Sequence, residues 1–79
     1  MFWYIIKITE NDKTIVYSYG FESREQTGEA VYYKSSQTAE VTKLAENDSD
    51  VIIKDFFIPH LCYIIQKENA PEKRFIAIG

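Results

Sequence analysis

His60 and Cys62 are the single histidine and the single cysteine of the chain, so nucleophilic or metal chemistry would have to begin with them. On a helix a two-residue separation turns side chains about 200° apart. The two therefore cannot share a metal or act as base and nucleophile. A lone histidine does not anchor zinc, and a lone cysteine forms no intrachain disulfide. With no adjacent basic residue to lower its pKa, Cys62 reads as a small apolar side chain. His60, at the edge of an apolar helical stripe near Phe57 and Ile64, reads as part of the packing with one hydrogen bond.

Glu46, Asp48 and Asp50 could face a calcium ion, but the glycine and the distal bidentate glutamate of a dedicated loop are missing. They read as a solvated turn with helix-capping duty. Lys73 and Arg74 follow Pro71 without a glycine-rich loop anywhere, so they read as strand-edge charge that discourages further pairing rather than as a phosphate site. No nucleophile, base and orienting group come together. The expectation is a non-enzymatic domain with no catalytic residues, no metal and no cofactor.

Twelve acidic residues against nine basic ones give a formal charge of −3, spread along the chain, which does not favour binding to a phosphate backbone. Trp3 and Lys7 on one sheet face could stack and neutralise a single strand, yet no basic stripe accompanies them. Nucleic acid is therefore not the expected partner, and a small molecule held between helix and sheet is a further alternative. The run Met1-Phe2-Trp3-Tyr4-Ile5-Ile6 lacks a basic leader and meets charge at Lys7, so neither export nor a membrane span is expected and a cytoplasmic location is the default.

The elements that position these residues follow from periodicity. Phe2 to Thr9 and Lys13 to Phe21 are rich in β-branched and aromatic residues and flank Glu10-Asn11-Asp12, which reads as a hairpin. A two-residue loop at Asn11-Asp12 places Ile8 opposite Ile15, Ile6 opposite Tyr17, Tyr4 opposite Tyr19 and Phe2 opposite Phe21. The other face then carries Trp3, Ile5, Lys7, Val16 and Ser18, with Trp3 over Gly20. A polar connection from Glu22 to Gly28 leads to a second hairpin, Glu29 to Lys34 and Ala39 to Glu46, whose loop allows two or three residues. Thr38 to Asn47 also contains competent helix formers, but Val41-Thr42 and the need of Val31-Tyr32-Tyr33 for a neighbour favour a strand.

From Val51 to Asn69 the residues Ile53, Phe57, Leu61, Ile64 and Ile65 recur at helical spacing, closed by Asn69-Ala70-Pro71. Pro59 costs an interior helix about 3 kcal/mol, so the helix either kinks there or begins near Asp55 instead of near Asp50. Lys73 to Ile78 completes the chain as a strand beside the first, with apolar residues on both faces that suggest a covered position.

These readings give one α+β domain over residues 1–79, a five-stranded, mainly antiparallel sheet of connectivity β-β-β-β-α-β and order 5-1-2-3-4. The helix stripe is expected on the face of Tyr4, Ile6, Ile8, Ile15 and Tyr17, making a core with Phe57, Leu61, Ile64 and Ile65. One helix covers one face, which leaves Trp3, Ile5 and Val16 for a homodimer or another protein partner. The bland alternative puts these residues beneath the Glu22 to Gly28 loop or leaves them simply exposed.

Overall fold

β1 (Phe2–Glu10) and β2 (Thr14–Phe21) form the first hairpin of the structure, a computed structural model that describes residues 1–78. β3 (Gly28–Tyr33) and β4 (Thr38–Lys43) form the second, and β5 (Lys73–Ala77) pairs antiparallel with β1. The sheet has five antiparallel strands in the order β4-β3-β2-β1-β5. One continuous helix covers it, made of an α-helical turn α1 (Asp50–Ile52), a π-helical turn (Ile53–Phe57) and an α-helical body α2 (Ile58–Glu68).

The register of the first hairpin differs from the sequence expectation. From Trp3↔Phe21 to Lys7↔Tyr17 like-numbered parities pair, and a bulge at Ile8 then moves the partners to Thr9↔Val16 and Glu10↔Ile15. A β-bulge adds one residue to one strand, and one residue is enough to exchange the faces of everything beyond it. The turn is also longer than two residues. Asn11 accepts on Oδ1 from the backbone N–H groups of Lys13 and Thr14, each at 2.8 Å, the side-chain mimicry of a turn that asparagine provides.

The consequence is an exchange of core and surface on β1. Trp3 and Ile5 are fully buried, whereas Tyr4 and Ile6 are half-buried on the opposite face and Ile8 is 53% exposed. Trp3 lies opposite Phe21, and it is Tyr4 that lies opposite Gly20. The helix therefore packs on the Trp3 face. Phe57 is the contact point, with its ring 5.4 Å from Trp3 and stacked on Tyr19 at 4.6 Å. Ile15, Tyr17, Leu61, Ile64, Ile65 and Ile76 complete the same core.

Four polar tips on this inner face tie the connecting segments to the sheet. Trp3 Nε1 donates to Asp48 at 2.8 Å, and the Tyr19 hydroxyl accepts from the Ala45 backbone N–H at 3.0 Å. Tyr17 donates to the Pro71 carbonyl at 2.6 Å, and Tyr32 accepts from Gln66 at 3.2 Å. Large aromatic bodies thus fill the core while their polar ends hold the entrance, body and exit of the helix.

Helix start and stop are local chemistry. Ser49 caps the first turn by accepting from the Ile52 N–H, with Asp50 favourable at the positive end. The helix thus begins at Asp50, and Pro59 is absorbed rather than avoided. Proline has no N–H to give and crowds the carbonyl four residues back; the π-helical turn before it, closed by the Ile58 N–H on Ile53 O, widens the backbone there. Asn69 ends the helix in the left-handed conformation, φ 62°, as its tolerance of that region allows.

The second hairpin closes at Tyr33↔Thr38, so its loop has the four residues 34–37 instead of two or three, with Gln37 at φ 57°. β5 lies at the sheet edge and is covered on one face only. Ile76 is buried, but Phe75 remains 41% exposed.

Candidate functional site

Because one helix occupies the Trp3 face, the other face of the sheet is where side chains remain available. β1 contributes Phe2, Tyr4 and Ile6, β2 contributes Val16, Ser18 and Gly20, β3 contributes Glu29, Val31 and Tyr33, and β5 contributes Lys73, Phe75 and Ala77. Of the expected interface residues, Val16 is on this face and half-buried, while Trp3 and Ile5 are on the opposite one and inaccessible. A stacking platform built on Trp3 is excluded by the same burial. A ligand between helix and sheet would have to displace Trp3, Tyr17, Tyr19, Phe57 and Leu61, all fully buried.

One end of the outer face is occupied by the Glu22 to Thr27 loop. The Glu22 N–H continues the ladder to Phe2 O, and its carboxylate accepts from the Phe2 N–H, both at 2.9 Å. Gln26 lies over the strands, donating to Tyr4 O at 3.1 Å and accepting from Ser18 Oγ at 2.7 Å. The loop presses so closely on β2 that a Cβ at Gly20 would stand 2.1 Å from Glu25 O and 2.6 Å from Ser23 O. Glycine is required there by close approach. The small and polar residues Ser18 and Gly20, alternating with Ile15, Tyr17 and Tyr19, were the sequence signal for this covered strip.

Beside the loop an aromatic cluster reaches the β5 edge. The Phe75 ring lies 4.5 Å from Tyr4 and 5.9 Å from Phe2, and the Arg24 guanidinium stands 5.4 Å above Phe75 and 5.8 Å above Tyr4. Beyond the loop the face is open and aliphatic, with Ile6, Val16 and Val31 half-buried between Lys73 on one side and Glu29 and Glu40 on the other. Tyr33 donates to Glu40 at that margin, which raises the pKa of the phenol.

The residues weighed for chemistry lie apart from this face. His60 is exposed on the helix, and its Nδ1 lies 2.7 Å from Phe56 O; a carbonyl can only accept, so Nδ1 carries the hydrogen. Cys62 is half-buried, and burial pushes its thiol up, away from the reactive thiolate. Asp48 accepts from Trp3 and from the Ser49 N–H, which makes it part of the helix entrance. Among the described residues no three histidine, cysteine or carboxylate side chains gather as a metal site, and no helix is long and apolar enough to cross a membrane.

A cleft of about 550 Å³ lies between the two hairpin turns and is lined by Asp12, Lys13, Thr14, Tyr33, Lys34 and Ser35. Of its lining side chains, Lys34 donates to Glu10 at 2.9 Å and Thr14 to Asn11 at 3.4 Å. Compared with models of protein families, with curated proteins and with solved structures, the chain matches none significantly. The functional reading therefore rests on the outer face itself.

Proposed function

We propose that this domain is a non-enzymatic interaction module that associates with a second copy of itself through the outer face of its sheet. The observation that carries the reading is the position of Ile6, Val16 and Val31 on a face that the helix does not cover, bordered by the partly exposed Phe2, Tyr4 and Phe75. Apolar and aromatic side chains gathered this way are the usual material of an interface core.

Two further features support a like partner. Cations lie on the β1–β5 side, Arg24 and Lys73, and acids on the β3–β4 side, Glu29 and Glu40. A two-fold axis parallel to the strands sets each cationic side over the partner's acidic side, which favours one orientation of docking. In extent, five strands about 4.8 Å apart and six residues long give a footprint of about 480 Å². The Glu22 to Thr27 loop takes up one end of that area, so two such faces bury at most about 1,000 Å², the scale of a weak, concentration-dependent contact.

Sedimentation equilibrium tests this directly, with Val16→Lys as the comparison. The wild-type chain is expected to dimerise, and Val16→Lys, which places a charge at the centre of the open face, is expected to stay monomeric with an unchanged circular dichroism spectrum. A wild-type chain that remains monomeric at millimolar concentration sinks the proposal.

A further inference from the structure

β5 is an edge strand whose outward backbone groups can be assigned one by one. Met1 and Ile78 exchange two hydrogen bonds, at 2.8 and 2.9 Å, and the Lys7 N–H donates to Glu72 O at 2.8 Å. In an antiparallel ladder such pairs alternate with pairs that make no bonds to each other. Ile78, Ile76, Arg74 and Glu72 therefore face β1, whereas Lys73, Phe75 and Ala77 direct both N–H and C=O away from the sheet. That outward row is a template for another strand.

The row is not free. Arg74 is held by Glu68 at the end of the helix through two parallel bonds, Nε to Oε1 at 2.9 Å and Nη2 to Oε2 at 2.8 Å. Its remaining Nη1 donates to the outward carbonyl of Phe75. The clamp fixes the guanidinium plane, and the fixed plane occupies the central acceptor of the edge.

We infer that β5 is a latent strand-pairing edge for a second copy of this chain, held shut by the Glu68–Arg74 clamp on the Phe75 carbonyl. The partner follows from the symmetry of the outward row. Three residues centred on Phe75 match themselves when a second β5 runs antiparallel about a two-fold axis at that residue. Phe75 then meets Phe75, and Lys73 meets Ala77, so all outward groups pair. Arg74 falls opposite Ile76, and no like charges come face to face. The two Phe75 rings, already packed on Phe2 and Tyr4 in each copy, join into one aromatic row across the new junction. This edge adjoins the outer face proposed above, sharing Lys73 and Phe75 with it, but pairs through backbone groups instead of side chains.

The test removes the clamp in a Val16→Lys background, so that association through the outer face does not contribute. Arg74→Ala is expected to form dimers at least tenfold more tightly than the background chain by sedimentation velocity. On dimerisation the outward amides, those of Lys73, Phe75 and Ala77, gain protection from hydrogen exchange, which docking through the outer face does not produce. Ala77→Pro removes an outward N–H without touching the bonds to β1, and adding it to Arg74→Ala is expected to restore the background behaviour. Glu68→Gln, which loosens the clamp while keeping every side-chain stem, is expected to act in the same direction. Association unchanged by both Arg74→Ala and Glu68→Gln, or dimers indifferent to Ala77→Pro, would overturn the inference. Dimers already present in the Val16→Lys background count against the outer-face reading alone.

Discussion

At the scale of single residues, the inner-face tyrosines combine two roles whose separation is measurable. Tyr17 and Tyr19 are fully buried, and burial raises both phenols, Tyr19 to about 12 and Tyr17 further. An unfolded tyrosine ionises near pH 10. Below that value both states hold the proton, and the contribution of these residues is fully present. Above it the unfolded chain loses protons that the folded chain retains, so stability falls as pH rises from about 10 towards 12, by about 1.4 kcal/mol per pH unit for each such group. Guanidinium midpoints collected between pH 8 and pH 11.5 are expected to fall gently above about pH 9, where the unfolded Cys62 thiol ionises ahead of the half-buried one, and steeply beyond about pH 10. Tyr17→Phe, which removes one ionising group, is expected to reduce the slope even though it also loses the bond to Pro71. An equal slope in both chains would assign the alkaline transition to other groups.

Elements are governed by how closely backbones approach. Gly20→Ala adds a methyl group where Glu25 O and Ser23 O already stand within 2.6 Å, and both obstacles are backbone atoms of a loop tied down by Gln26. Either the loop lifts or the strand bends, at a cost of about 1–3 kcal/mol. Chemical denaturation is expected to show that loss, and faster amide exchange in residues 22–27 would identify the loop as the part that yields. This contact also marks the limit of what the sequence discloses. The faces of β2 were legible, because Ile15, Tyr17 and Tyr19 alternate with Val16, Ser18 and Gly20. The helix stripe was legible from spacing, as was the strand order. The faces of β1 were not, because Phe2 to Ile6 is apolar at every position, so alternation carries no information. The bulge at Ile8 then decided the phase, and a pairing argument anchored at the turn gave the opposite answer along the whole outer half of the strand. Gln26 and Arg24 gave no signal of their own, since their partners lie on strands distant in sequence.

For the molecule as a whole, the uncovered face connects stability to association. A chain of 79 residues buries a smaller share of its surface than a larger domain does, and its margin of stability is correspondingly thin. Here the helix is committed to the Trp3 face, so the proposed contact with a second copy would add its apolar burial on the outer face. If two folded chains share that face, concentration must raise the melting temperature, because the dimer forms from folded chains only. A hundredfold rise in concentration above the dissociation constant adds about 2.7 kcal/mol per dimer, or about 1.4 kcal/mol per chain. At about 4–8 °C per kcal/mol for a domain of this size, calorimetric Tm is expected to climb by roughly 5–10 °C. Val16→Lys is expected to abolish the dependence while leaving the low-concentration Tm within about 4 °C, since a substitution outside the core costs about 0.5 kcal/mol or less. A wild-type Tm that does not move with concentration would mean that the outer face contributes nothing between chains, and that the inner core of Trp3, Tyr17, Tyr19 and Phe57 sustains the fold alone.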